Sequence, residues 1–536
     1  MGRLRNLLSE GILGPFMKKG RFRNQFDGFN WTGTSVVPMG RTGFDGGAFR
    51  RRLRSWMPTQ YTTNVIMASS GALLRARCRD VLRNNPHANA ACDSYVANVV
   101  GTGIKPSSLF NEDPNLRAAM QRLWLDWTDE SDADGLCDFY GLQTMVARAL
   151  FESGEVFIRF RNRKVEDGYL VPLQIQLLES DMCPYHWNQF APNGNYIMNG
   201  VEFDFRGQRV AYWFHPQHPG DMPIDINLTG LYPVRVPASE VLHIFKPQRP
   251  GQVRGVPLIT PALVRLFFLD QYDDAELERK RIAAMFAGFV TSAVPEDIVP
   301  VDGVDTTSGQ DGIGLTGLEP GTLQTLLPGE DIKFSEPADV GGSYEAYQYR
   351  QQLAVFSGLG IPYSLGTSDL RRANYSSLRG SIVEYRRKLE QTQHNVFVFQ
   401  MCRPVWQRWL DTAVLAEALP VPVNDYLLRK SDYSRTKWIP QRNDWVDPLK
   451  DRQAEKLAVD SGFKSRSDVI EAEGYDPEEN DQRIAADQER AEQLDIVIPV
   501  VYASPTQPTD PAAEQAQQDA AEQAAADAAD NESDAA

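Results

Sequence analysis

A few groups of residues in this chain have types and spacings that could do chemistry. Gly312-Ile313-Gly314-Leu315-Thr316-Gly317 spells G-x-G-x-x-G, a pattern that cradles a dinucleotide pyrophosphate only where it joins a strand to a helix N-terminus. Here it lies between VDTTSGQD and Leu318-Glu319-Pro320-Gly321, loop-forming sequence on both sides, so it reads as a loop. His215 and His218 flank Pro216-Gln217 and could share a metal ion, but no adjacent Cys or carboxylate cluster completes a ligand set. They read better as turn residues at a strand end. Glu152 and Glu155 flank Ser153-Gly154 and could be paired acids, yet a helix-to-strand junction explains them better. The five cysteines (Cys78, Cys92, Cys137, Cys183, Cys402) form no CxxC pair, which argues against a disulfide framework and against zinc and for reduced, mostly buried thiols. Walker A, G-x-S-x-G and H-E-x-x-H sequences are absent. The expectation is a protein with no catalytic residue, no metal and no cofactor.

The chain is too long, at 536 residues, for one ordinary core. Its 42% apolar and 10% aromatic content is that of a folded globular protein. No run approaches the roughly 18 to 20 apolar residues that span a bilayer, and the N-terminal apolar stretch is too short and interrupted for a secretory signal. No membrane association is expected, and the chain reads as soluble and cytoplasmic at synthesis. The net charge is −16, but it is unevenly spread: residues 1–56 hold eleven bases and three acids, whereas the segment from Ala503 holds eight acids and no base. A basic arm, an acidic body and an acidic tail follow from that layout.

The elements that would position any site change in period along the chain. Residues 1–65 are Gly- and Arg-rich without a sustained period, which predicts an arm that is extended or ordered only against a partner. Helices are expected over Leu73–Val99, Asn115–Trp127 and Gly141–Glu152. The second would place Leu116, Met120, Leu123, Trp124 and Trp127 on one face, and the third carries Leu142, Met145, Val146, Ala149 and Leu150. From Glu155 to Phe245 the period becomes two. Val156–Phe160, Leu173–Leu178 and Val241–Phe245 read as strands. Val201, Phe203 and Phe205 alternate, as do Val210, Tyr212 and Phe214, with Arg206-Gly207-Gln208 as the hairpin turn. The class is therefore α+β with an antiparallel sheet.

A helix then starts at Pro261, with Thr260 as N-cap, and runs to Ala287. Its first half is apolar and its second charged, as if it passed between two environments. Residues 289–340 are Gly/Pro-rich with short strands near Phe289–Ser292 and Asp331–Phe334. A helix over about Tyr344–Phe356, a loop over Gly360–Tyr375 and a long helical segment over Ser376–Glu417 follow. Pro404 should kink that segment by removing the bond to Gln400. The remainder to Val501 reads as charged and helical in pieces, and the last ~35 residues as low complexity and disordered.

Motifs in chain order resemble the lambda-type portal proteins of tailed phages. They are Arg75-Ala76-Arg77 through Arg83-Asn84-Asn85 to Gly101-Thr102-Gly103-Ile104, then Gly154-Glu155-Val156-Phe157, then Leu178-Glu179-Ser180-Asp181. Next come Asn199–Asp204 continuing to Ala211-Tyr212-Trp213, then Val236–Leu263, and last Ala373-Asn374-Tyr375-Ser376-Ser377-Leu378-Arg379. The resemblance covers about residues 70–500; the arm and the acidic tail share no motif with it.

That resemblance implies a portal fold, α+β, with long stem and crown helices, an antiparallel-sheet wing domain and a small clip domain. It divides the chain into an arm (1–65), wing (66–256), first stem helix (257–288), clip (289–340), second stem helix (341–359), tunnel loop (360–375), long kinked helix (376–417), crown region (418–502) and acidic tail (503–536). It implies a homo-oligomeric ring of about twelve copies at one vertex of the virion, formed in the host cytoplasm during assembly. Through that ring double-stranded DNA would be packaged and ejected. The implied partners are the terminase large subunit, which would carry ATP hydrolysis and DNA cutting, head–tail adaptors, and the major capsid and scaffold proteins whose assembly the ring would initiate. Arg371, Arg372 and Asn374 would stand where DNA passes, able to touch phosphates. The basic arm would dock on acidic capsid or scaffold surfaces, with DNA as the other candidate. Rivals are a shorter type of ring-forming adaptor, a carboxylate–Mg²⁺ nuclease and a DNA-binding regulator. The stem–clip–stem order disfavours the first, and the acidic balance without a helix-turn-helix disfavours the last.

Overall fold

Asn85 and Pro86 divide the first helical stretch in two. The computed structural model describes residues 58–110, 112–221, 232–284, 343–442 and 448–494, with four short strands at 29–32, 35–38, 288–292 and 330–334. Helix α1 (Thr63–Asn84) ends because Asn85 turns extended, and α2 (Pro86–Val99) starts there with the Asn85 side chain accepting from the Ala88 N–H and Pro86 in the first turn. The single helix expected over Leu73–Val99 is thus two, and α1 begins inside the segment read as arm. That segment also holds a hairpin, β1 (Phe29–Thr32) with β2 (Ser35–Pro38).

Helices α3 (Pro114–Glu130) and α4 (Phe139–Glu152) are capped by Asp113 and Asp138. Leu116, Met120, Trp124 and Trp127 are buried along α3, as its period requires. Trp124 lies 5.0 Å from Trp127 and 5.0 Å from Trp406, ring centroid to centroid, so the N-terminal helices share one aromatic core with the far end of the chain. Met145 of α4 is exposed instead, and Phe139 and Phe151 fill the core on that helix.

Strands β4 (Glu155–Asn162), β5 (Leu173–Leu178) and β11 (Val241–Phe245) form an antiparallel sheet with β4 in the middle. A second antiparallel sheet runs in the order β10 (Val234–Pro237), β9 (Arg209–Phe214), β8 (Val201–Phe203), β7 (Tyr196–Met198), β6 (Gln189–Phe190). Phe157 packs between the two, 5.0 Å from Phe214. The β8–β9 hairpin is present, but β8 stops at Phe203. Asp204 accepts from the N–H groups of Arg206 and Gln208, Gly207 takes φ 78°, and Phe205 is left 87% exposed in the turn. Strand β3 (Lys105–Ser108) pairs with β14 (Thr436–Ile439), a strand in a region expected to be helical in pieces.

Helix α5 (Thr260–Ala284) is about 38 Å long. The Thr260 hydroxyl donates to the Pro257 carbonyl at 2.7 Å, so it ties down the entering loop, and the helix starts one residue earlier than expected. Helix α6 (Ser343–Leu359) packs on α5 through Tyr344, whose hydroxyl donates to Asp273 at 3.0 Å, and through an Arg265–Gln351 bond of 2.7 Å. Strands β12 (Gly288–Ser292) and β13 (Glu330–Phe334) pair with each other; the rest of 293–329 lies outside the described residues.

The segment expected as a loop over 360–375 contains a short helix, α7 (Tyr363–Thr367). The long segment beyond it is α8 (Tyr375–Thr392), a π-helical stretch (Gln393–Cys402) and α9 (Arg403–Leu415). Arg403 N–H donates to the Val398 carbonyl, five residues back. Pro404 therefore sits in the first turn of α9, directly after the last five-residue bond, where its missing N–H ends the wide turns. The irregularity expected at Pro404 is spread over the ten residues before it. The C-terminal part carries α10 (Val423–Leu428), α11 (Lys430–Tyr433), α12 (Pro448–Asp460), α13 (Arg466–Ala472) and α14 (Pro477–Gln493). Among the described residues no helix is long and apolar enough to cross a membrane.

Candidate functional site: an arginine-bearing loop and the buried junction

The two glycines Gly154 and Gly255 bring strand β4 against the loop that feeds α5. Gly154 has φ 84°, and a Cβ there would stand 2.3 Å from the Val256 carbonyl carbon; one on Gly255 would stand 2.1 Å from the Gly154 oxygen. This close approach places Glu155 and Arg254, both fully buried, side by side. Arg254 Nε donates to both Glu155 oxygens at 2.8 and 3.0 Å. Its remaining donors reach the carbonyls of Cys183 (2.9 Å), Asn199 (2.7 Å) and Ser180 (3.1 Å). Glu155 also accepts from the Gly255 N–H at 2.7 Å, from Tyr185 at 3.1 Å and from the Ser180 hydroxyl, and meets His243 Nε2 at 2.9 Å. Arg75 of α1 adds bonds of 2.7 Å to Ser180 and 2.7 Å to Asp181.

Burial pushes the Glu155 carboxyl up, but the Arg254 guanidinium and His243 hold it well below the usual carboxylate range. Burial also pushes His243 down to about 4, outweighing the attraction of Glu155. A carboxylate so fully occupied positions backbone and has no lone pair left for acid–base work. The junction joins α1, β4, β11, the Ser180 turn and the start of α5. Sequence reading singled out Gly154-Glu155 and Val236–Leu263 separately and missed the link between them. The available signal was a Gly next to an ionisable residue in both motifs, with opposite charges.

Arg371, Arg372 and Asn374 sit beyond α6 and α7, on a turn that α6 and α8 hold from either side. Arg371 is 74% exposed and grips Asp369 through two bonds of 3.0 Å. That grip holds the Asp369 carboxyl down at about 2. Arg372 lies 3.4 Å from Glu345 and stacks over the Tyr349 ring at 4.2 Å. Glu345 is 3.8 Å from Arg371 as well, so two guanidiniums and two carboxylates form one exposed, locally neutral group. Asn374 is apart from it: its side chain accepts from the Ser377 N–H at 2.8 Å and caps α8. Asp369, Glu345 and Tyr349 were not anticipated. Asp369, two residues before Arg371, was visible; Glu345 and Tyr349 depend on how α6 lies beside the loop.

The metal candidates rearrange. His218 joins Glu179 (3.5 Å) and Asp181, not His215, among the described residues. Arg79 bonds both carboxylates at 2.7 Å, and this built-in cation opposes a metal ion there. Cys78, Cys92, Cys183 and Cys402 are buried and Cys137 partly so; burial pushes the Cys78 and Cys92 thiols up to about 12. The glycine pattern at 312–317 lies outside the described residues.

A family model described as phage portal protein, lambda family, matches residues 49–393. The chain is 26% identical over 438 residues to a probable portal protein of Halomonas phage phiHAP-1, covering 80% of this chain and 82% of that one. It is 21% identical to portal protein B of Escherichia phage lambda over 480 residues, covering 82% and 87%. Among solved structures it is similar to a chain from the neck of an empty gene transfer agent particle computed with C6 symmetry. The identity is 13%, the TM-score 0.45, and the coverage 79% of this chain and 96% of that one. By its family match over most of its described length, with the two motif glycines, the buried Glu155–Arg254 pair and the long α5–α6 helices all inside that match, this chain belongs to the lambda family of phage portal proteins.

Proposed function

We propose that this phage portal, the head–tail connector of its particle, works as a closed ring of about twelve copies that conducts duplex DNA as a low-affinity conduit. The observation that carries the reading is the outer face of α5. Val264 (64%), Phe267 (50%) and Phe268 (61%) are exposed on one side of the first half of a helix whose other face packs on α6 and the core. A patch of large apolar side chains in water needs a cover, and neighbouring copies in a ring supply one for this half of the helix. Phe268→Asp tests this by sedimentation: the variant should keep its fold and lose assembly, and unaltered rings would count against the reading.

In this assignment α5 and α6 are the two stem helices, residues 289–340 the clip, and Gly360–Tyr375 the tunnel loop, with Arg371 and Arg372 close to the passing duplex. Support comes from the locally neutral Arg371–Asp369 and Arg372–Glu345 group. Strong, numerous Lys/Arg contacts would hold phosphates and impede sliding, whereas guanidiniums already paired within the chain bind weakly and release readily. The ring itself performs no reaction. ATP hydrolysis and DNA cutting belong to the terminase large subunit, which docks on the clip before the head–tail adaptors do. The basic arm docks on capsid or scaffold surfaces, so deleting residues 1–56 should leave rings intact and abolish head incorporation.

A further inference from the structure

Strand β4 carries Arg159 and Arg161, and Arg163 follows one residue past its end, where its N–H still donates to the Pro172 carbonyl at 2.9 Å, so the three alternate on one face about 6.6 Å apart. The same face holds Glu155 and Phe157 further back, where the second sheet covers it. Beyond Phe157 it emerges from that cover. The partners offered by β5 are amides: Arg161 Nε donates to Gln176 at 2.9 Å and Arg163 Nε to Gln174 at 2.7 Å. Carboxylates near the stripe are Glu240, 3.9 Å from Arg159, Asp134, which acts on Arg161, and Asp411, which lines a cleft with Arg163 and is itself bonded by Lys430 and Tyr426. Burial, and then repulsion from the Arg159 and Arg163 charges on either side, depress the basicity of Arg161. In a chain of net charge −16, three guanidiniums in line, two of them held by neutral glutamines, make a locally basic face.

The chain contains a segment of matching pitch. Asp530, Glu532 and Asp534 alternate in the same way, within a stretch from Ala503 that has no base to neutralise them. In an extended conformation their carboxylates repeat at the same ~6.6 Å as the guanidiniums. Asp530 is 36 residues beyond Leu494 (530 − 494), a length that can reach up to ~120 Å, enough for the same subunit or a neighbour. We infer that the acidic end of the chain, Asp530–Asp534, docks on the Arg159–Arg161–Arg163 face of the β4–β5 sheet. This assigns the tail a binding site and occupies a basic face that would otherwise capture stray polyanions.

The test uses the full chain in a Cys137→Ser background, with one cysteine at Ser533 and a second at Asp134, beside the stripe. A parallel chain places the second cysteine at the exposed Leu428, at the end of α10 and off the β4–β5 sheet. Under mild oxidation at low salt the Asp134→Cys chain should form the disulfide at least tenfold faster than the Leu428→Cys chain. Adding Arg161→Glu with Arg163→Glu should remove that advantage, and Asp530→Lys, Glu532→Lys and Asp534→Lys on top should restore it. Equal rates for the two cysteine positions, or an advantage that survives the arginine reversal, would overturn the inference. So would a face that binds a short DNA duplex equally well with and without residues 503–536.

Discussion

The side-chain amide of Gln400 pairs with both backbone groups of Phe245: its Nε2 donates to the Phe245 carbonyl at 3.0 Å, and its Oε1 accepts from the Phe245 N–H at 3.0 Å. A residue of the π-helical stretch thereby extends strand β11 by one pair of bonds, fixing the long helical segment to the sheet. The wide turns give the pairing its opportunity, because they rotate the helix face relative to α8. Gln400→Leu removes both bonds and leaves a partly buried N–H and C=O unpaired, a cost of about 2–4 kcal/mol. Urea denaturation should show the loss as a lowered midpoint at unchanged slope. A midpoint equal to the parent's would mean the contact carries no stability.

The Glu155–Arg254 pair predicts a sharper penalty. Glu155→Gln leaves a fully buried guanidinium without its counter-charge and should cost about 3–5 kcal/mol. Arg254→Lys should also be severe, since an ammonium cannot serve Glu155 and three carbonyls at once. Both are read from unfolding midpoints of the full chain, and a loss below about 1 kcal/mol would place the pair in the energetic class of surface bridges.

Acidification should weaken the same junction in two steps. His243 is held near 4, below its ordinary 6.5, so between those values the unfolded chain binds a proton that the folded chain does not. Stability therefore falls as pH drops through that window. The Glu155 carboxyl is held well below 4.5, so its contribution, present above 4.5, is lost as pH falls further. His243→Gln should flatten the dependence between pH 6.5 and 4 while leaving the lower step; an unchanged slope across the window would exclude His243 as its source.

Arg371 and Arg372 are already paired within the chain, and this limits what their removal can do to DNA binding. Arg371→Ala with Arg372→Ala should lower the salt dependence of duplex binding by the ring by at most about two phosphate contacts. Affinity should remain in the non-specific range of about 10⁻⁴–10⁻⁶ M. Tight, sequence-selective binding by the parent ring in a filter or anisotropy assay would contradict the conduit reading.

Local patterns carried much of this molecule. The Trp124 face of α3, the strands at Glu155 and Val241 and the β8–β9 hairpin follow from periodicity that a single sequence displays, and the start of α5 from Pro261 in its first turn, although Thr260 does not cap it but bonds the Pro257 carbonyl. The misses have physical causes. Asn85-Pro86 divides a helix because proline disfavours helical geometry in the residue before it, and the polar run Arg83-Asn84-Asn85-Pro86-His87 between the two apolar stretches was its visible sign. Phe205 continues an alternation, but the Asp204 side chain captures two turn N–H groups and ends the strand before it. The Glu155 network joins residues about a hundred positions apart, beyond any local period. The π-helical stretch has no compositional mark besides the Pro404 that follows it. The arginines of the loop were visible as residues, whereas the carboxylate that neutralises Arg372 comes from α6 and required the fold.

The central claim, a ring with a channel, is tested most directly by electron-microscopic imaging of the purified full-length chain with native mass measured on the same sample. Closed rings of about twelve copies are expected, with a central channel about as wide as a DNA duplex, about 20 Å, and α5 at the contact between neighbours. A monomer or dimer that persists at high concentration would contradict it.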